Sequence, residues 1–265
     1  MRILLLLLLP VYLFAGDFSV RGANSEYFIE IARGNIPKTS CVQKFGRNKD
    51  IDDATFEDIW DGDGTWLQIG LGSTLKLVSK STKDSVGGVG ARIVTIKGLD
   101  SSFNLAQETD TLKGTDSVNT QNKYIMVYRM FIETAGDTAG NADTVKVAVR
   151  GTTMAMILPL NNQTLMSIYQ IPAGKTGYLV SYYGTVNKST GAAAIVDVKL
   201  VAKPFGGVFQ IKNFHGTNTD ATSEFDHDFN CPVTLNEKTI VKMQALSSRA
   251  GTDVGSGFNI ILIDN

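Results

Sequence analysis

Seven carboxylates fall within fourteen residues, at Asp50, Asp52, Asp53, Glu57, Asp58, Asp61 and Asp63, with Gly62 and Gly64 among them. Several oxygens on a flexible backbone are what a hard cation such as calcium takes, and Asp50, Asp52, Asp61 and Asp63 are the candidate ligands. The helix–loop–helix calcium template does not fit. With Asp61 as its first position, Thr65 falls fifth and Gly72 stands where the bidentate Glu belongs. A solvated, turn-rich acidic segment is the plainer reading, so no cofactor is assigned and calcium stays an option. Trp60 and Trp66 flank this segment. They could form a sugar-stacking platform, or pin the segment to a neighbouring subunit, as aromatic anchors do at interface cores. The second is preferred, with Phe45 and Arg47 as further interface residues.

Other chemistry is thinly supported. The histidines are His215 and His227, and Asp226-His227-Asp228 could orient a base. No serine sits in a GxSxG elbow, and neither Cys41 nor Cys231 has a catalytic context, so His227 reads as a loop or strand-edge residue. No glycosidase-type carboxylate pair can be nominated. Gly87-Gly88-Val89-Gly90 lacks the spacing and the following Lys of a phosphate-cradling loop and reads as a hairpin loop. Asn162-Gln163-Thr164 and Asn187-Lys188-Ser189 match the glycosylation sequon, which matters only on a eukaryotic secretory route.

The elements around these residues are mostly β. Val145, Val147 and Val149 alternate with polar neighbours, as do Val196, Val198, Leu200 and Ala202, and Val241, Met243 and Ala245. Arg92 to Lys97, Thr109 to Lys113, Tyr124 to Glu133, Gly177 to Val186 and Phe258 to Ile263 are further strands, separated by Gly- and Asp-rich turns. The fold expected is all-β: two antiparallel β-sandwich or jelly-roll modules, 70–155 and 156–265, behind an extended, loop-rich N-terminal arm, 17–69. Within the arm only Tyr27 to Ala32 alternates. Residues 44–66 have no core of their own and should act as a docking arm whose deletion impairs assembly more than folding.

Residues 1–16 form a separate hydrophobic segment: Met1-Arg2, an apolar run and then Ala15-Gly16, the layout of a secretory leader. A buried strand or a start placed too far upstream are the other readings. The run is short for a bilayer span, and membrane contact is expected only through this segment if it is retained. After export, Cys41 and Cys231 would meet an oxidising compartment and could pair; two free thiols are the plainer reading. With 25 basic and 26 acidic side chains the net charge is -1, which lacks the basic excess that nucleic-acid binding by counterion release requires.

The run Val42 to Asp52, continuing through Glu57-Asp58-Ile59-Trp60-Asp61-Gly62, resembles a group of poorly characterised virion proteins of tailed bacteriophages, many from marine phage genomes. Their signature reads KFGRN-x-DID and then EDIWDGGG. The likeness continues at Gly90 to Arg92, Ile96 to Asp100, Leu112 to Thr115, Tyr124 to Met130, Ala173 to Tyr183 and Ala250 to Asp264, covering the chain from about Tyr27. It implies a β-rich, non-enzymatic particle component of head, neck, tail or fibre, which self-associates and binds other virion proteins. No functional residues carry over with it, and the hydrophobic start departs from a protein assembled in the cytoplasm. The competing reading is a secreted or cell-surface adhesin or carbohydrate-binding protein; a secreted hydrolase, lacking a nameable catalytic set, ranks last.

Overall fold

The computed structural model of the chain describes residues 23–187, 193–219 and 223–265. The leader-like residues 1–16 lie outside them, as do Lys188 and Ser189 of the second sequon. Two compact units divide after Pro37. In the first, α1 (Ala23–Ala32) replaces the expected extended stretch. It ends in a Schellman cap: Gly34, at φ 77°, donates to the Ile31 carbonyl at 2.9 Å, and Asn35 donates to that of Glu30 at 2.9 Å. The periodic Glu30 and Arg33 pair at 2.9 Å, a spacing that suits a helix and not a strand.

The second unit, Lys38–Asn265, is antiparallel β throughout. In chain order its strands are β1 (Thr39–Ile51), β2 (Glu57–Asp58), β3 (Lys76–Ser79), β4 (Ala91–Asp100), β5 (Leu105–Thr111), β6 (Val118–Asn119), β7 (Tyr124–Ala135), β8 (Val145–Val149) and β9 (Thr152–Ile157). There follow β10 (Ile168–Gln170), β11 (Lys175–Asn187), β12 (Ile195–Lys203), β13 (Gln210–Asn218), β14 (Ser223–Leu235), β15 (Ile240–Ser247) and β16 (Thr252–Asp264).

Two hydrophobic cores result. Sheets ordered β6-β3-β8-β9 and β5-β4-β7 bring Leu77, Val145, Val147 and Ile157 against Val94, Ile96, Met126 and Met130. Sheets ordered β1-β16-β11-β14 and β10-β15-β12-β13 enclose Ile51, Tyr182, Phe258 and Ile260 with Val196, Val198, Leu200 and Met243. The alternating valines of β8 and β12 thus point inward because period-two spacing puts every second side chain on one face.

The two modules are not arranged in tandem. Both β2 and β10 lie on the same edge of β15, Asp58 opposite Gln244 and Ile168 opposite Lys242. Between them Ile59 N–H donates to the Met243 carbonyl at 3.0 Å, Met243 N–H to that of Ser167 at 3.1 Å, and Ser167 N–H to that of Ile59 at 3.0 Å. One strand of the second module is therefore interrupted after Ile59 and resumed at Ser167. Residues 60–166 are an insertion, with Trp60 and Met166 bridged at its neck.

This placement also corrects the N-terminal arm. Thr39–Ile51 pairs with β16 from Thr39↔Ile263 to Ile51↔Thr252, and Ile51, Ile59, Trp60 and Trp66 are buried in the two cores. Removing 44–66 would remove core, contrary to the docking-arm expectation. Cys41 and Cys231 are exposed free thiols on the opposite edge strands β1 and β14. Three strand spacings of about 4.8 Å hold them roughly 14 Å apart, twice what a disulfide spans. Among the described residues no helix is long and apolar enough to cross a membrane.

Candidate functional site

The signature segment packs on the neck of the insertion. Phe45, half-buried, accepts the Met166 amide at 2.8 Å through its carbonyl. At Gly46 a Cβ would lie 2.4 Å from the Ile59 oxygen and 2.4 Å from the Ser167 nitrogen. Only a residue without a side chain lets β1 pass this close to the interrupted strand. Across the neck Asp61 N–H donates to the Leu165 carbonyl at 3.0 Å, and Leu165 N–H donates to Asp61 Oδ2 at 3.2 Å.

The acidic residues are largely spent on holding the chain. Asp58, fully buried, accepts from Lys242 Nζ at 2.7 Å, Gln244 Nε2 at 2.8 Å and the Trp66 amide at 2.8 Å. Glu57 accepts from Asn48 Nδ2 at 3.1 Å and the Asp52 amide at 3.3 Å. Asp52 caps the turn at Asp53 and Ala54, and Asp63, at φ 58°, accepts the Gly64 amide at 2.9 Å. Asp50, Asp61 and Asp63 line one hollow of about 100 Å³, which Arg47 and Lys49 also line. Asp52 does not line it, and among the described residues no three metal-ligating side chains converge. The four calcium candidates are thus not gathered into one ligand set.

Burial pushes the Asp61 carboxyl up to about 6, against the pull of the Leu165 amide, Lys49 and Arg47. A carboxyl raised in the folded state binds more protons folded than unfolded between about pH 4 and 6, so stability falls as pH rises through that window. Asp61→Asn keeps an acceptor for Leu165 and removes the ionisation. It is expected to unfold at higher urea than the parent at about pH 7.5, by roughly 1–2 kcal/mol, with the advantage gone near pH 4. Equal midpoints at neutral pH would show that Asp61 ionises without cost.

Of the interface residues expected from the sequence, the two tryptophans turn inward, while Phe45 and Arg47 stay partly exposed. Trp60 and Trp66 are each 4% exposed. The Trp60 indole donates to the Asp63 carbonyl at 3.1 Å, over Gly62, where a Cβ would collide with the ring. The Trp66 indole donates to the Met154 carbonyl at 3.0 Å. Neither can stack on a sugar or anchor a neighbour, because the chain's own core already covers both. Arg47 forks onto Asp253 of β16, Nε to Oδ1 at 2.8 Å, and that hydrogen bond holds its guanidinium above its ordinary range.

The exposed apolar surface lies elsewhere, on the β12–β13 hairpin. Gly207 N–H donates to the Pro204 carbonyl at 2.9 Å, closing a turn that leaves Phe205 at 66% and Val208 at 72% exposure. A bulge opposite Leu200/Val201 leaves Ile211 facing Val201 and Phe214 facing Lys199, so both stand on the outer face, 60% and 50% exposed. Soluble monomers seldom present such a cluster without a use for it.

The chain matches no protein-family model and no curated protein. Among solved structures it is distantly similar to viral particles. The structure of infectious bursal disease virus, Gt strain, has a TM-score of 0.25 at 10% identity, covering 89% of this chain and 78% of that one. The VP2 subviral particle of the same virus has a TM-score of 0.24 at 10% identity, covering 90% and 78%. Likenesses this distant carry no argument about function.

The remaining motifs have structural employment. His227 lies on β14 opposite Tyr182, its Nε2 at 3.1 Å from Asn213 Nδ2. Strand alternation turns Asp226 and Asp228 to the other face, so neither orients its ring. Gly87 to Gly90 connects β3 to β4, two strands of different sheets, and so is not a hairpin loop. Gly88 and Gly90 donate to Ser85 and Lys83 carbonyls, and a Cβ on Gly90 would strike Asp84 Oδ1 at 2.1 Å. Buried Asp84 accepts from the amides of Ala91 and Ala142, each at 2.8 Å, and from Ser79 Oγ at 2.6 Å. The Asn162 side chain of the first sequon accepts from Asn141 N–H and donates to the Ala139 carbonyl.

Proposed function

We propose that the chain is a non-enzymatic structural component of a bacteriophage virion that self-associates and docks to other particle proteins. The observation that carries this reading is the winding of the second module. Counting the interrupted β2/β10 as one strand, the module has eight strands in sequence, and its sheets take them in the orders first-eighth-third-sixth and second-seventh-fourth-fifth. Two nested Greek keys of this kind make a jelly roll, an architecture used by viral capsid and lectin domains. Fold does not by itself fix function; the resemblance of residues 42–62 to phage virion proteins selects the particle, and the apolar β12–β13 hairpin supplies a surface for another copy.

A lectin-like reading shares the same winding. Burial of Trp60 and Trp66 removes the sugar platform that favoured it. The two are separated by mass spectrometry of density-banded particles from the source culture. High copy number in the particle band supports the virion, whereas absence there, with a glycan-dependent rise in melting temperature, supports the adhesin. Self-association has its own test in sedimentation velocity. The parent is expected to associate with rising concentration, while Val208→Asp with Ile211→Lys stays monomeric and keeps the parental melt, surface changes of this kind costing under about 0.5 kcal/mol. A parent that stays monomeric at every concentration overturns the assignment of that surface.

A further inference from the structure

Three cations, Lys44, Lys97 and Arg129, line one cleft between the inserted module and the second module, and among the described residues no carboxylate lines it with them. Lys97 on β4 and Arg129 on β7 are directly opposed in register, a like-charge pair that destabilises a sheet when left uncompensated. Both also border the ring of Phe131, Lys97 Nζ at 5.5 Å and Arg129 Cζ at 5.4 Å from its centroid. Lys44 on β1 is 7% exposed and donates to the Tyr128 carbonyl. All three line a hollow of about 240 Å³ that contains no carboxylate. Among the described residues none of them meets a carboxylate at ion-pair distance. Glu133 of β7 accepts instead from Thr95 Oγ1 at 2.7 Å.

We propose that this cleft is a binding site for a small tetrahedral dianion of the phosphate or sulfate class, held by Lys44, Lys97 and Arg129. The guanidinium fork suits such an ion, and its orientation is set by Gln163, whose Oε1 accepts from Arg129 Nη2 at 3.0 Å. A dianion removes the repulsion between Lys97 and Arg129 and gives the buried ammonium of Lys44 a counter-charge, which burial of a lone charge otherwise makes costly.

Binding is coupled to protons. Burial, assisted by Arg129, lowers Lys44 to about 7. The other titratable groups lining the cleft are Lys97, Arg129, Tyr128, Tyr169 and Cys41. Burial raises Tyr128, Tyr169 and Cys41, so the lysine is the group that gains a proton near neutrality. An anion favours the ammonium, so binding takes up protons and tightens as pH falls from about 8 to about 6.

The test is isothermal titration calorimetry of the full chain with sodium sulfate, in buffers matched for ionic strength with chloride. Sulfate keeps both charges across this range, so any pH dependence belongs to the protein. Expected are one saturable site, proton uptake read from buffers of different ionisation heat, and tighter binding at the lower pH. Arg129→Gln with Lys97→Gln is expected to melt cooperatively and to lose roughly tenfold or more in affinity. Lys44→Met, which fills the same space, is expected to abolish the proton uptake. Absence of saturable heat in the parent, parental affinity in the double variant, or equal competition by chloride each overturns the proposal.

Discussion

Gly46→Ala is expected to be strongly destabilising, costing about 3 kcal/mol or more. The added carbon meets the Ile59 oxygen and the Ser167 nitrogen at 2.4 Å, with the Met166 carbonyl carbon at 2.9 Å. All three are backbone atoms fixed by the ladder to β15, so no side-chain rotation relieves the contact. Either β1 lifts from the neck, breaking the Phe45–Met166 hydrogen bond, or the interrupted strand shifts on β15. Gly70→Ala is the control, because nothing lies within 4 Å of its Cβ and its backbone is ordinary. It should be neutral or slightly stabilising, by up to about 1 kcal/mol. Urea unfolding of the two variants decides the matter, and similar midpoints would show that β1 and the neck are not in rigid contact.

Lys242→Met should cost roughly 3–5 kcal/mol, the usual loss when one partner of a buried ion pair is removed. Methionine fills most of the lysine's volume, so little of the loss comes from a cavity. What remains is the Asp58 carboxylate, fully buried and held by Trp66 N–H and Gln244 Nε2 without a cation. Adding Asp58→Asn to that variant removes the charge while its side-chain oxygen still accepts one of those donors, and should recover most of the stability. A recovery that large is the signature of a stranded charge. If Lys242→Met alone moves the urea midpoint hardly at all, water reaches Asp58 and the network is not dry.

The contrast between β12 and β13 explains what could be read from the sequence. β12 carries Val196, Val198, Leu200 and Ala202 at period two because one face is core, and β8 and β15 were legible for the same reason. β13 fully buries none of its side chains and β14 only Leu235, so neither carries the run of core residues at period two that marks β12. β1 was masked by Gly46, Arg47, Asn48, Lys49 and Asp50, which suggest a turn until their partners are seen: a bare approach to the neck, a fork onto Asp253 and a cap on Glu57. Each acidic residue was visible, but its employment was not, since Asp58 and Lys242 stand far apart in the chain. The Phe205 to Phe214 run was visible as well, hidden in plain view by the Gly-Gly turn inside it. An interrupted strand leaves no local trace, because both of its halves are too short to show a period.

The pairing of β1 with β16 has a bearing on synthesis. Thr39 finds its partner only when Ile263 exists, and at roughly 5–20 residues per second of translation that is a delay on the order of tens of seconds. Through that interval Thr39–Ile51 has no ladder on either side, and Gly46 has no neck to lean on until Ser167 has been made. The inserted module, with its largely local pairings, can fold on the ribosome while the second module waits. Synthesis of β16, and not any earlier step, then sets when β1 is paired, and a nascent chain stalled before β16 presents an open strand to every other such chain nearby.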